Sequence, residues 1–368
     1  MCRKGEYVIM NNIITYLKFR GDLNMKAHPF NEVDALILSE LSYIRFENIV
    51  PSVGENGSIS ISDAAKKYIK SKGKERDFYE RLENLLEVLA KCPRYSNLML
   101  SNYASDTNVK ERQQFSAIHI ELNPFLTFIA FRGTDETLIG WREDCDMSYM
   151  MPVPAQIASV NYVNETAKGL FRKYIIGGHS KGGNLAIYSS VFCEKGIKNK
   201  ICDIYSFDGP GFNQTMIDEV GYQQIKERIH AYVPESSVVG MLMEHEEIYQ
   251  VVKSEEVAFM QHDGFTWCIN GTKFETIEST DEFSNGINVL LKLWLDKIEH
   301  SERKMFVDAV FDVFEAGGIE NVMDFKEINL HTATAMIKAA ANLPKDQRET
   351  VGKLIKLLID ASKNISNT

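Results

Sequence analysis

Apolar and polar positions change period twice along this chain. Val33, Leu36, Ile37, Leu41 and Ile44 fall on one helical face behind Pro29-Phe30-Asn31. Phe78, Leu82, Leu85, Leu86 and Leu89 then repeat at three-to-four spacing up to Lys91-Cys92-Pro93. That spacing predicts amphipathic helices, the second stopped by Pro93. In the middle the period shortens. Phe115 to Glu121 reads as a strand, and four short apolar runs follow. Leu126 to Phe131 ends at Arg132-Gly133-Thr134, Tyr174-Ile175-Ile176 at Gly177-Gly178, Ile201 to Phe207 at Asp208-Gly209-Pro210-Gly211, and Ile229 to Val233 at Pro234. Runs of this length, closed by glycine or proline, predict strands buried on both faces. Asn184 to Cys193 is a helical stretch between two of them, so strand, helix and strand form a parallel, right-handed crossover. From about residue 284 the helical period returns. Val289, Leu290, Leu293, Trp294 and Ile298 share a face, as do Phe306, Val310, Val313 and Phe314 ahead of the capping pair Gly317-Gly318. Leu354, Leu357 and Leu358 lie on a last helix after Pro344, and Lys363 to Thr368 form a polar, fraying tail.

The expected fold class is therefore α/β, a mostly parallel central sheet flanked by helices. The division is a helical region at 1–110 packing on the core, an α/β core at 111–283 and a helical region at 284–368. The 368 residues, 44% apolar and 25% charged, match ordinary soluble chains and exclude bulk disorder, collagen-like repeats and a disulfide-stapled mini-domain. A net charge of −10 leaves no overall basic footprint, so no nucleic-acid partner is expected. The cluster Lys66-Lys67-Tyr68-Ile69-Lys70 reads as a solvated helix face. The six cysteines, Cys2, Cys92, Cys145, Cys193, Cys202 and Cys268, form no CxxC pair and are expected as reduced thiols. Asn11 and Asn12 interrupt the apolar stretch behind the N-terminal segment, so no signal peptide is read there. No run of 18 apolar residues occurs, which predicts no stable membrane insertion. Cytoplasmic location is the expectation.

Gly178-His179-Ser180-Lys181-Gly182-Gly183 carries the sharpest chemistry. It fits G-x-S-x-G with a strand before it and a helix after it, the context this motif requires. Glycines two before and two after the serine let strand and helix approach without Cβ clashes, which thrusts Ser180 into the open as a nucleophile. A serine hydroxyl needs a base, and the base needs an acid to orient it. On such a sheet the chain order is serine, acid, histidine. Of the later histidines, His300 and His331 lie in the helical tail and His230 lies inside a strand. His245, in Glu244-His245-Glu246-Glu247, has no second histidine four residues on and so no zinc-helix signature. His262 lies in a loop late in the α/β region, where a triad base belongs. Asp208 and Glu235 both follow strands; Asp208 is preferred as the acid, with Glu235 the alternative. Asp263, adjacent to His262, is poorly placed to orient its ring. The oxyanion donors are the backbone N–H of Lys181 and that of Thr134 in the loop Arg132-Gly133-Thr134-Asp135. No metal or organic cofactor is required.

Several of these segments together resemble the class 3 lipases: Phe131-Arg132-Gly133-Thr134, then Trp141 and Asp144, then Gly178 to Gly183, then His262 ahead of Trp267. Adding Phe30-Asn31-Glu32-Val33-Asp34, Gly140 to Asp144 and Asp208-Gly209-Pro210-Gly211-Phe212, the chain is similar, over roughly residues 10 to 340, to a family of bacterial lipase-like proteins. The resemblance implies an α/β-hydrolase fold. It puts Thr134 on the oxyanion-hole position, Ser180 on the nucleophile and His262 on the base. It also implies a lid at about Glu136 to Val153, whose Leu138, Ile139, Trp141, Met147, Tyr149, Met150 and Met151 could cover an acyl site. Lys181 stands where class 3 lipases carry an apolar residue. The expected partner is a small-molecule or lipid ester, cleaved through an acyl-enzyme. The competing readings are a catalytically silent scaffold on the same fold, or a thioesterase, peptidase or acyltransferase using the same triad.

Overall fold

The computed structural model describes residues 11–71, 80–282, 284–286, 289–290, 297–321, 324, 329–353 and 356. The readings that fall on the segment before Asn11, on Phe78, Leu293, Trp294, Leu354, Leu357 and Leu358, and on the tail 363–368 lie outside the described residues.

Four helices come first: α1 (Ile13–Arg20), α2 (Glu32–Leu41), α3 (Ile61–Ser71) and α4 (Glu80–Lys91). The strands of the main sheet are β1 (Ile59–Ser60), β2 (Met99–Asn108), β3 (Gln113–Asn123), β4 (Leu126–Phe131), β5 (Lys173–His179), β6 (Ile201–Phe207), β7 (Ile229–Pro234) and β8 (Tyr249–Val252). A small hairpin, β9 (Ile269–Asn270) and β10 (Lys273–Phe274), precedes the edge strand β11 (Thr276–Ile277). The sheet order is β1-β2-β3-β4-β5-β6-β7-β8-β11. Its middle, β4 to β8, is parallel, and its flanks are antiparallel. The sheet thus reaches into the segment read as helical, through β1 and β2. Helices α5 (Leu138–Asp146), α6 (Pro154–Thr166) and α7 (Lys181–Phe192) interleave with the strands.

Successive strand residues face opposite ways, and the apolar runs use both faces. Phe128, Ala130, Ile175 and Tyr205 pack with α1 to α4 on one side. Ile129, Phe131, Ile176 and Ile204 pack with α6 and α7 on the other. The result is a sheet between two helical layers, and the strands ending at the site are covered on both faces. Asp34 ties the first layer together: fully buried, it pairs with Arg94 and accepts from the Tyr16 and Tyr95 hydroxyls. The helix His300–Ala316 packs on α5 and on Leu330–Asn342. Its Val307 and Phe311 close a small apolar cluster with Leu138 and Ile319. Gly318 takes a left-handed φ of 76° at its end.

Candidate active site

β5 ends at His179 and α7 begins at Lys181, so the chain must reverse at Ser180. It does so at φ 57° and ψ −132°, a sparsely populated region that costs about 1–3 kcal/mol and persists only where its surroundings enforce it. The enforcement is visible. Ser180 N–H donates to Phe207 O at 2.8 Å, and Gly183 N–H donates to Ser180 O at 2.9 Å. A Cβ on Gly178 would lie 2.3 Å from the Gly182 carbonyl carbon, and one on Gly182 would lie 2.2 Å from Phe131 O. The glycines flanking the serine are thus needed for the close approach of strand and helix.

The next strand delivers Asp208, fully buried at φ 49°. Its Oδ1 accepts from Ser237 Oγ at 2.5 Å and Gly240 N–H at 3.0 Å. Its Oδ2 lies 2.6 Å from His262 Nδ1. A carboxylate only accepts, so Nδ1 is the donor in this contact. His262 ends a single turn, Ala258–His262, held by Trp267 Nε1 donating to Gln261 O at 2.9 Å. Its ring is partly open to solvent.

A second histidine braces the first. His179 Nε2 lies 2.7 Å from the His262 carbonyl, and the two rings are 4.7 Å apart. The carbonyl can only accept, so His179 Nε2 donates and Nδ1 accepts from the Tyr43 hydroxyl at 3.1 Å. Burial, then the neighbouring His262, pushes the His179 pKa down to about 3, so its ring is neutral at physiological pH. The buried Glu40 has Oε1 3.7 Å from His179 Nδ1. Burial, reinforced by Asp263, holds its carboxyl well above the usual range.

The loop after β4 lies against the serine: a Cβ on Gly133 would come 3.2 Å from Ser180 Cβ. Among the described residues, no hydrogen bond takes up the N–H of Thr134 or of Lys181. Thr134 Oγ1 donates to Asp144 Oδ2 at 2.5 Å. The Lys181 side chain points into the fold. Its Nζ sits 2.9 Å from Glu143 Oε2 and 3.5 Å from Asp144 Oδ1, almost wholly buried. Burial alone would lower its pKa, but Glu143 and Asp144 outweigh this and the direction is upward. Its charge therefore stays inside the fold and does not enter solvent. Glu143 also accepts the backbone N–H groups of Gln114 and Ala155. Together with Arg142, which pairs with Asp308, Asp312 and Glu315, it fastens the 136–153 segment to the body. Trp141 and Met150 are exposed, whereas Leu138 and Met147 are buried.

The structure thus brings Ser180, Asp208, His262, Thr134 and Lys181 to the carboxyl ends of β4, β5 and β6. The hydrogen bonds of the described residues include none between Ser180 Oγ and His262. Glu235 follows β7, but its contacts are through the backbone, to Val252 O and Asp281 N–H; Asp208 occupies His262 Nδ1. Asp263 turns outward to Arg81. His230 pairs with Asp203 and His245 with Glu247. Tyr43, Ser237 and Gly240 escape sequence reasoning because only the topology brings them here. Among the described residues no cluster of histidine, cysteine and carboxylate groups could hold a metal ion.

A family model described as Mbeg1-like matches residues 89–312. Among solved structures the chain is similar to one titled as the crystal structure of M37 lipase, at 12% identity and a TM-score of 0.35, over 76% of this chain and 94% of that chain. No curated protein matches the chain.

Proposed function

The chain belongs to the Mbeg1-like family, and from that premise we propose that it is a serine hydrolase that cleaves a carboxylic ester through an acyl-enzyme. The observation that carries this reading is the 2.6 Å contact between His262 Nδ1 and the buried Asp208, beside a serine held at a left-handed φ. In the first half-reaction Ser180 Oγ attacks the ester carbonyl while His262 Nε2 takes its proton. The imidazolium formed is stabilised by Asp208, which stays ionised. The tetrahedral oxyanion is met by the Thr134 and Lys181 N–H groups. Lys181 begins α7, so its N–H is one of the helix's unpaired donors and lies at the positive end of the helix dipole. The tetrahedral adduct collapses as His262 gives its proton to the departing alcohol. Water then repeats the sequence on the acyl-enzyme and releases the acid.

Tyr43 and His179 act on this chemistry through position. Their hydrogen bonds fix the His262 main chain, while Asp208 fixes its ring. A ring held at both ends loses little freedom on approaching the serine.

Turnover of a panel of p-nitrophenyl esters, acyl-CoAs and peptides tests the substrate class. Ester cleavage with a burst of p-nitrophenol equal to the enzyme concentration is expected. Turnover confined to acyl-CoAs or to peptides would reassign the reaction, and no turnover on any of them would favour a scaffold.

A further inference from the structure

The parallel strands leave two very different ends of the sheet. The carboxyl ends hold Ser180 and Asp208. β5 is seven residues long, so its amino end lies roughly 20 Å away. There the loops before β4, β5, β6 and β7 come together, and their contacts are direct. Lys173 N–H donates to Phe125 O at 2.8 Å, Arg172 Nη2 to Pro124 O at 3.3 Å, Lys200 Nζ to Gly169 O at 3.0 Å, and Arg228 Nη1 to Lys198 O at 3.0 Å.

Two properties coincide on this end. Phe125, Leu170 and Phe171 are 66%, 77% and 79% exposed, large apolar side chains projecting into water at adjacent loop tips. Burying a leucine or phenylalanine is favourable by about 1.5–3 kcal/mol each, so a cluster left this exposed marks a contact surface. The same loops are basic in a chain whose net charge is −10. Segments 165–173, 194–200 and 226–228 carry eight Lys or Arg and three Glu. Glu121 engages Arg172, while Lys168 and Lys173 beside the apolar tip are exposed. An apolar tip ringed by cations is complementary to a surface that is anionic outside and apolar just beneath. A second copy of the chain would present the same positive end and be repelled. Among the described residues no helix is long and apolar enough to cross a membrane, so this contact is peripheral.

We propose that the amino-terminal end of the parallel strands docks reversibly on an anionic phospholipid bilayer, with Leu170 and Phe171 entering the headgroup region and Lys168 and Lys173 facing lipid phosphates. Ser180 then faces away from the bilayer. The inference stands independently of the chemistry assigned to Ser180.

Cosedimentation of the full chain with vesicles tests it. Wild-type protein is expected to pellet with vesicles of phosphatidylcholine and phosphatidylglycerol at low ionic strength and to stay in solution with phosphatidylcholine alone. Added salt should weaken the binding, because exposed charges are screened. Lys168→Glu and Lys173→Glu should each weaken it by about fivefold or more. Leu170→Ser and Phe171→Ser should each weaken it by about tenfold. All four side chains are exposed, and an unchanged circular dichroism spectrum and thermal transition confirm folding. No binding by wild type to the anionic vesicles, binding undiminished in the Leu170→Ser/Phe171→Ser double variant, or capture of RNA in place of vesicles would overturn the proposal.

Discussion

Asp208 has both oxygens engaged, by Ser237, Gly240 and His262. An asparagine there would fill the same space but present its amide to His262 in place of a charge, favouring the wrong tautomer. On the proposed reaction Asp208→Asn lowers kcat by about 10⁴, whereas Glu235→Gln leaves it nearly unchanged. Steady-state ester hydrolysis by the two variants checks this, and the reverse ranking would move the role to Glu235. At this scale the sequence was informative where chemistry imposes spacing. The glycines around Ser180 announce a sharp reversal, and the chain order of serine, acid and histidine leaves Asp208 and Glu235 as acids ahead of His262; the contact with His262 Nδ1 is made by Asp208. It was silent on Tyr43 and on the bracing role of His179. Tyr43 lies 136 positions from His179, and no local pattern signals a contact that exists only once the first helical layer closes on the sheet.

Elements buried on both faces were legible because their apolar runs are nearly unbroken. β4 and β6 occupy Leu126–Phe131 and Ile201–Phe207, the same limits their runs suggest. β2 was not legible: its sequence, MLSNYASDTN, mixes polar residues throughout, and β3 makes it a strand through the backbone ladder. α6 buries Gln156, Ser159 and Tyr162 beside Ala155 and Val163 and satisfies their polar atoms with Asn184 and with carbonyls, so its inner face is only partly apolar. α5 depends on its partners in a similar way, above all on the pair Lys181–Glu143. Removing one member of a buried ion pair leaves an uncompensated charge. Lys181→Met should therefore destabilise the fold by about 3–5 kcal/mol, read from urea unfolding. A change under about 1 kcal/mol would mean that the pair is not a structural anchor of this element.

The first helical layer and the sheet share one apolar core, from Ile13 to Phe274. At this scale the response to acid is set by groups buried in their neutral form. Burial, with help from Arg172, lowers the His119 pKa from 6.5 to about 3. Between those values the unfolded chain binds a proton that the folded chain refuses. Stability contributed by the neutral ring is therefore complete above about pH 6.5 and is lost as pH falls toward 3. His179 adds the same sign, while Glu40, with its pKa raised by burial, works in the opposite direction above its ordinary 4.5. His119 Nε2 lies 3.0 Å from Thr166 Oγ1, and replacing His119 by glutamine, which retains an amide to meet that hydroxyl, should reduce the slope of unfolding free energy against pH by about 1.4 kcal/mol per unit within that window. Urea titrations of wild type and variant at a series of pH values measure it; identical slopes would show that His119 is protonated in the fold.

The proposed reaction requires Ser180 to be a nucleophile activated by His262. The most direct measurement is mass spectrometry of the chain after exposure to a fluorophosphonate probe, with Ser180→Ala and His262→Ala alongside. A single adduct on Ser180 is expected, absent from Ser180→Ala and formed far more slowly in His262→Ala. A properly folded wild-type chain that acquires no adduct, or an adduct that persists in Ser180→Ala, would contradict it.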